Sequence, residues 1–317
     1  MDYLVPILLF VLGIALIVKG GDFFVDAAVW IAGATGIPHF IVGATIVSLA
    51  TTLPEIIVSV IAAASGRVDM AIGNAVGSVT ANTGLIMALS LLFAPAAVRR
   101  QELGFKGLLM IFATLMLALV CLPAGGMTMF GGFIMFVIFI MFFGENIRAA
   151  RIDSRSGTEV RSVDRRAVVP NVVKFVLGAA GIVAGAELLV RYGSELAELL
   201  GASERLISLT FVAIGTSLPE LVTTLTAIKK RQSSLSVGNI LGANIIDLTL
   251  ILPICTAVSG GTLPMSPSAL RLDIPAALLI MLVAILPALA AQRFRRWQGA
   301  AMLGCYAAYL GVLVFVL

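Results

Sequence analysis

Apolar runs long enough to cross a bilayer recur along this chain from end to end, broken by short stretches that hold nearly all of its charge. A helix that spans the hydrocarbon layer needs about 20 mostly apolar residues, because no water is present there to satisfy an open backbone. The pattern predicts ten spans, near 4–22, 39–64, 70–94, 105–122, 126–146, 170–191, 206–228, 234–257, 270–291 and 298–316. Of the 317 residues 60% are apolar and 12% charged, and the mean hydropathy is +1.10, more apolar surface than a water-soluble core could hide. The expected fold class is an all-α polytopic membrane protein, helical throughout, without the short alternating strands of an outer-membrane barrel. The start, Met1-Asp2-Tyr3, has no basic region or cleavage site before Lys19, and reads as a retained first span.

The basic residues are distributed lopsidedly. With the N-terminus outside, Lys19, Arg99, Arg100, Lys106, Arg148, Arg151, Arg155, Arg161, Arg165, Arg166, Lys174, Lys229, Lys230, Arg231, Arg293, Arg295 and Arg296 fall on the inner side. Those seventeen of 21 leave only Arg67, Arg191, Arg205 and Arg271 outside. The positive-inside rule then predicts a multi-pass protein of the cell membrane (inner or plasma) with both termini outside. Because the basic groups recur at every second loop, they are a topology signal, and no nucleic acid is expected as a partner. Cys121, Cys255 and Cys305 lie singly in apolar spans and imply neither disulfides nor a metal cluster.

The sequence repeats itself. GATIVSLATTLPEII at 43–57 aligns without a gap on SLTFVAIGTSLPELV at 208–222, an offset of 165. The same offset relates Asp22 to Glu187, Gly36 to Gly201, Gly73-Asn74 to Gly238-Asn239, Gly77 to Gly242 and Asn82 to Asp247. A register held over so long a stretch marks a duplicated unit. Each copy holds five spans, and an odd number makes the second copy enter the membrane from the opposite side. The expected organisation is a first five-helix repeat at 1–146 with its motif at 43–87, a cytoplasmic linker at 147–169, and a second repeat at 170–317 with its motif at 208–252.

Glu55, Glu220 and Asp247 lie deep in apolar spans. A charge at the bilayer centre costs roughly 2.5–3.5 kcal/mol on insertion scales, and residues that bear it usually line an ion or proton path. Their neighbours carry oxygen: Thr51 and Thr52 precede Glu55 at spacings that put all three on one helix face, and Thr216 and Ser217 do the same for Glu220. Ser78 lies one turn before Asn82, and Ala243 one turn before Asp247. Hydroxyl, amide and carboxylate oxygens without imidazole or thiolate suit hard cations such as Na⁺ and Ca²⁺. Pro54 and Pro219 should free the carbonyls of Ala50 and Gly215, and Gly73, Gly77, Gly238 and Gly242 should let their helices approach closely or break.

The pairs TTLPE/GTSLPE and GNAVGSVTAN/GNILGANIID, with GGDFFVDAA after the first span, resemble the two repeated motifs of the cation/calcium exchanger superfamily, in particular prokaryotic sodium/calcium exchangers. The resemblance implies alternating-access antiport of Na⁺ against Ca²⁺ in a bilayer. Glu55 and Glu220 would be the central ligands and Asn82 and Asp247 the other central members. Thr51, Thr52, Ser78, Thr216, Ser217 and the carbonyls of Ser48 and Ala213 would complete the sodium sites, with the first and sixth helices as sliding gates. The chain departs from the pattern at Ser48, Ala50 and Thr52, and most at Ala243, where a hydroxyl is usual. The same carboxylates leave a Ca²⁺/H⁺ or K⁺-dependent Na⁺/Ca²⁺ antiporter open as alternatives. A channel with a glutamate ring fits inverted repeats poorly. His39, the single histidine, sits at a span entrance, and no H-E-x-x-H or G-x-S-x-G motif occurs, so neither an enzyme nor a cofactor is expected. The sequence sets no oligomeric state; a monomer would suffice.

Overall fold

The computed structural model describes residues 4–95, 100–155, 165–199 and 217–315. The helices within them are α1 (Leu4–Thr35), α2 (His39–Thr51), α3 (Leu53–Ala64), α4 (Val68–Phe93) and α5 (Arg100–Cys121). They continue with α6 (Met129–Arg155), α7 (Arg165–Leu199), α8 (Leu218–Lys229), α9 (Ser233–Val258), α10 (Ala269–Ala291) and α11 (Arg296–Phe315). Seven are long and apolar enough to cross a membrane, and α2 with α3 makes an eighth span bent by 44°. Two expectations need correction. The first helix runs on to Thr35, well beyond the predicted 4–22. The chain is also not wholly helical: β1 (Gly126–Thr128) pairs antiparallel with β2 (Thr262–Pro264), tying the α5–α6 loop to the α9–α10 loop.

The 165-residue offset reappears in backbone geometry. At the end of α3, Gly66 N–H donates to the Ala63 carbonyl (3.1 Å) and Arg67 N–H to Ala62 (2.8 Å). At the end of α8, Arg231 donates to Ile228 (2.9 Å) and Gln232 to Ala227 (2.7 Å), the same bonds shifted by one repeat. These paired bonds form the helix-ending motif that requires a left-handed residue, and Gly66 and Arg231 take φ of +75° and +58°. The second copy keeps the turn even without glycine.

Packing divides the molecule into an enclosed core and an outer pair. Every residue of α9 from Leu235 to Ile246 is buried, and α9 lies against α2 through glycines. A Cβ on Gly242 would meet the Ala44 carbonyl at 2.6 Å and Ser48 Oγ at 2.5 Å, while Gly238 faces the Phe40 carbonyl and Gly43 the Leu235 carbonyl. Only hydrogen on the Cα allows that approach. Gly73 and Gly77 have nothing within 4 Å of an added Cβ among the described residues, and α4 does not break at either position. Instead α4 and α9 widen into π-helical turns at Asn82–Met87 and Asp247–Ile251.

Helices α1 and α7 form the outer pair. Gly13 meets Gly185, and Gly20 meets Gly178 and Gly181, so the two backbones touch along their length. Their outer faces, including Leu4, Leu8, Val176 and Leu177, stay exposed, as expected of lipid-facing surface. Lys230 at the end of α8 holds α1 through Asp26 (2.7 Å) and Asp22 (3.4 Å).

The α2–α9 contact yields a stability test. Gly242→Ala should destabilise the protein by about 1–3 kcal/mol, because the Ala44 carbonyl crowds the space together with the buried Ser48 side chain, and backbone cannot rotate away. Thermal unfolding in detergent reads this; Gly304→Ala, whose added methyl meets nothing within 4 Å, should leave the midpoint unchanged.

Candidate functional site

Pro54 and Pro219 each stand second in a short helix, and Glu55 and Glu220 follow them in its first turn. Proline cannot donate to the carbonyl four residues back, so the incoming helix ends at Thr51 and a new one starts at Leu53. Each carboxylate thus sits near the positive end of its helix dipole, where negative charge is favoured. Thr51, Thr52 and Glu55, expected on one helix face, all lie beside Glu220. Thr51 Oγ1 reaches across to Asn239 Oδ1 on α9 (3.3 Å), and Thr52 Oγ1 donates to Glu220 Oε1 on α8 (3.4 Å). Glu55 receives neither bond.

Glu55, Glu220, Asp247 and Asn82 are each only 1% exposed. Glu55 lies close enough to Glu220 and Asp247 for their charges to interact, and Glu220 likewise faces Asp247. Both carboxyl oxygens of Glu55 and of Asp247, one of Glu220, the Asn82 amide oxygen and the Ser78 and Ser217 hydroxyls are buried without a hydrogen-bond partner. A buried polar group left unpaired costs about 1–3 kcal/mol, and more when charged. So many orphaned acceptors drawn from α3, α4, α8 and α9 are incompatible with a purely structural role, and match a set of ligands for a hard cation. Among the described residues no three carboxyl, imidazole or thiol groups converge as a closed metal cage.

Most of the expected site residues are therefore brought together. Ser48 is buried, its carbonyl accepting from Thr51 Oγ1 (3.3 Å) and Thr52 N–H (2.9 Å) while its hydroxyl donates to the Thr45 carbonyl (3.1 Å). Ser48 also packs on Gly242, beside the buried Ala243 that carries no hydroxyl. Thr216 and Ala213 lie outside the described residues.

The sequence reading missed a group of amides. Asn74 Nδ2 donates to the Glu55 carbonyl (3.3 Å) and to Ser59 Oγ (2.9 Å), pinning the first turn of α3 to α4. Asn239 takes the Thr51 bond, and Asn244 donates to Thr83 Oγ1 (2.7 Å) on the π-helical turn that begins with Asn82. Asn74 and Asn239 were visible only as alignment anchors, in the repeated Gly-Asn pair.

A membrane-embedded cluster of unpaired oxygens, carried on broken and widened helices, defines a membrane protein that handles hard cations. Comparison with known proteins gives the family: a profile described as "Sodium/calcium exchanger protein" matches residues 5–144 and 171–315, and the chain belongs to that family. It is 30% identical over 351 residues to sodium/calcium exchanger MaX1 of Methanosarcina acetivorans, covering 98% of this chain and 99% of that one. It is 35% identical over 268 residues to the putative antiporter CaxA of Alkalimonas amylolytica, covering 82% and 83%. A solved structure of the sodium-calcium exchanger NCX_Mj, soaked with 10 mM Na⁺ and no Ca²⁺, superposes with a TM-score of 0.85 at 28% identity over 98% of both chains.

The orphaned carboxylate supplies a test that needs no transport. Glu55→Gln should raise the unfolding free energy in buffer free of Na⁺ and Ca²⁺ by about 1–3 kcal/mol, because an amide replaces a buried, unpaired carboxyl group facing two others. Glu220→Gln should gain less, since Thr52 already donates to Glu220. Calorimetry in detergent, both variants against the parent, decides.

Proposed function

We propose that the chain is a secondary active antiporter that exchanges Na⁺ for Ca²⁺ by alternating access, its ions bound between two five-helix halves. The single observation that carries this is the set of buried, unpartnered oxygens on Glu55, Glu220, Asp247, Asn82, Ser78 and Ser217 at the helix breaks of a chain from the sodium/calcium exchanger family. Glu55 and Glu220 are the central Ca²⁺ ligands, with Asn82 and Asp247 beside them. Thr51, Thr52, Ser78, Thr216, Ser217 and the carbonyls of Ser48 and Ala213 serve the Na⁺ positions. The ions are substrates, and no cofactor takes part.

The halves are residues 1–146 and 170–317, joined by a cytoplasmic linker at 147–169, and they cross the membrane ten times in opposite senses. Two contacts support that plan. The β1–β2 ladder joins loops that are four crossings apart in this plan, and Lys230 meets Asp22 and Asp26 across six, so each pair falls on a common side, as an even number of crossings requires. With the basic loops inside, both termini lie outside.

Proteoliposomes loaded with Na⁺ should take up ⁴⁵Ca²⁺ when the outside lacks Na⁺, and Glu55→Gln and Glu220→Gln should each abolish uptake while remaining folded. Full activity in either variant would overturn the ligand assignment. Uptake driven by a pH gradient without Na⁺ would replace the coupling ion with H⁺, and a strict K⁺ requirement would add a third substrate. Ala243→Ser should steepen the Na⁺ dependence by restoring a hydroxyl one turn before Asp247.

A further inference from the structure

The two repeats carry the same amide at the same place but bond it differently. Asn74 Nδ2 donates within its own repeat, to the Glu55 carbonyl (3.3 Å) and Ser59 Oγ (2.9 Å). Adding 165 maps Asn74 onto Asn239, Glu55 onto Glu220 and Ser59 onto Thr224. The second repeat therefore holds the same three parts, on α8 and α9 in place of α3 and α4. Yet Asn239 Oδ1 accepts from Thr51 of the other repeat (3.3 Å), and its Nδ2 has no partner. Thr224 Oγ1, the acceptor that the first repeat would predict, is buried and also unpartnered. The carboxylates share the imbalance: Thr52 donates to Glu220, while the equivalent Ser217 hydroxyl and both oxygens of Glu55 stay unpaired.

Two copies of one unit in one molecule occupy different local states, so both states are accessible to that unit. The geometry points to Asn74 and Asn239 as a reciprocal positioning pair for the ion site. In the conformation seen here, Asn74 clamps the turn that bears Glu55, and Asn239 engages Thr51 instead of the turn that bears Glu220. In the oppositely facing conformation, Asn239 swings onto the Glu220 carbonyl and Thr224 Oγ1, freeing the Thr51 hydroxyl, while Asn74 releases Ser59. Each exchange of partners leaves one ion-bearing turn fixed and the other loose. This rests on the alternating-access reading above.

The test exploits opposite signs. Ser59→Ala removes a bond made in this conformation, and Thr224→Val removes one made only in the other. In oriented proteoliposomes, Ca²⁺ titrated from each face gives two apparent affinities, each scaled by the fraction of carriers open to that face. The ratio of the two should move in opposite directions in the two variants, by about fivefold, the worth of one buried hydrogen bond. A shift in the same direction, or none, would overturn the proposal. A second readout needs no flux: without ions in detergent, Ser59→Ala should lower the unfolding midpoint, whereas Thr224→Val should not, since it deletes an unpaired hydroxyl. Equal losses in both would also overturn it. If the parent chain carries no Na⁺-driven Ca²⁺ flux, the exchange reading fails, and this second measurement still decides the pair.

Discussion

A proline in a membrane helix leaves a carbonyl without its donor, and lipid offers no water to replace it. At Pro54 the chain answers by ending one helix at Thr51 and starting another at Leu53, at a bend of 44°. A loose backbone at membrane depth is tolerated only inside protein or beside a cavity or an ion. Around this break, glycines on α9 bring its backbone onto α2, and α9 is buried from Leu235 to Ile246. The glutamate that follows the proline is delivered into that enclosed space at the start of a helix, where both the dipole and a cation favour its charge. Site and fold thus share one cause.

The outer pair α1–α7 is built on different terms. Its glycines bring two long backbones into contact along a straight seam, while its other faces are left to lipid. Without a hydrophobic driving force inside a bilayer, small-residue contact is what joins such helices. The pair meets the core through smaller patches, with Gly21 lying on Val222 and Thr226 of α8, and Lys230 bridging to Asp22 and Asp26. A tightly coupled pair with few attachments is suited to moving as one body past the core. A surface ion pair of this kind is worth about 1 kcal/mol or less, a weak tie beside the glycine seam.

Much of this was legible in the sequence, for identifiable reasons. Apolar runs mark the membrane helices because lipid selects on composition. The 165-residue register exposed the symmetry-related Glu55 and Glu220, Asn82 and Asp247, because a duplicated unit keeps its ligands in place. Pro54 marked a break point through its lost bond, but not the 44° angle, since a lost bond does not say how far the helix will bend. The π-helical turns at Asn82 and Asp247 insert one residue without any change of composition, and so leave no periodic trace. The β1–β2 ladder and the Thr51–Asn239 bond join residues far apart in the chain. Local spacing carries no information about such contacts.

The repeats differ where charge matters most. Asn82 faces the site as a neutral amide where its symmetry mate, Asp247, is a carboxylate. With Glu55 and Glu220 the site then holds three acidic groups, an odd number. One Ca²⁺ among three ionised carboxylates leaves a net negative charge that must be cancelled by a proton or a further cation, whereas three Na⁺ would balance it. A large uncompensated charge sealed from water costs several kcal/mol, so a site that closes to solvent does so only with a filling near neutrality. An aspartate at position 82 would make the count even and let two Ca²⁺ balance it; an asparagine at 247 would let one. Under the exchange proposed above, this difference in charge between Asn82 and Asp247 would couple ion count to closure, and let one fold tell Na⁺ from Ca²⁺ by charge as well as by oxygen geometry.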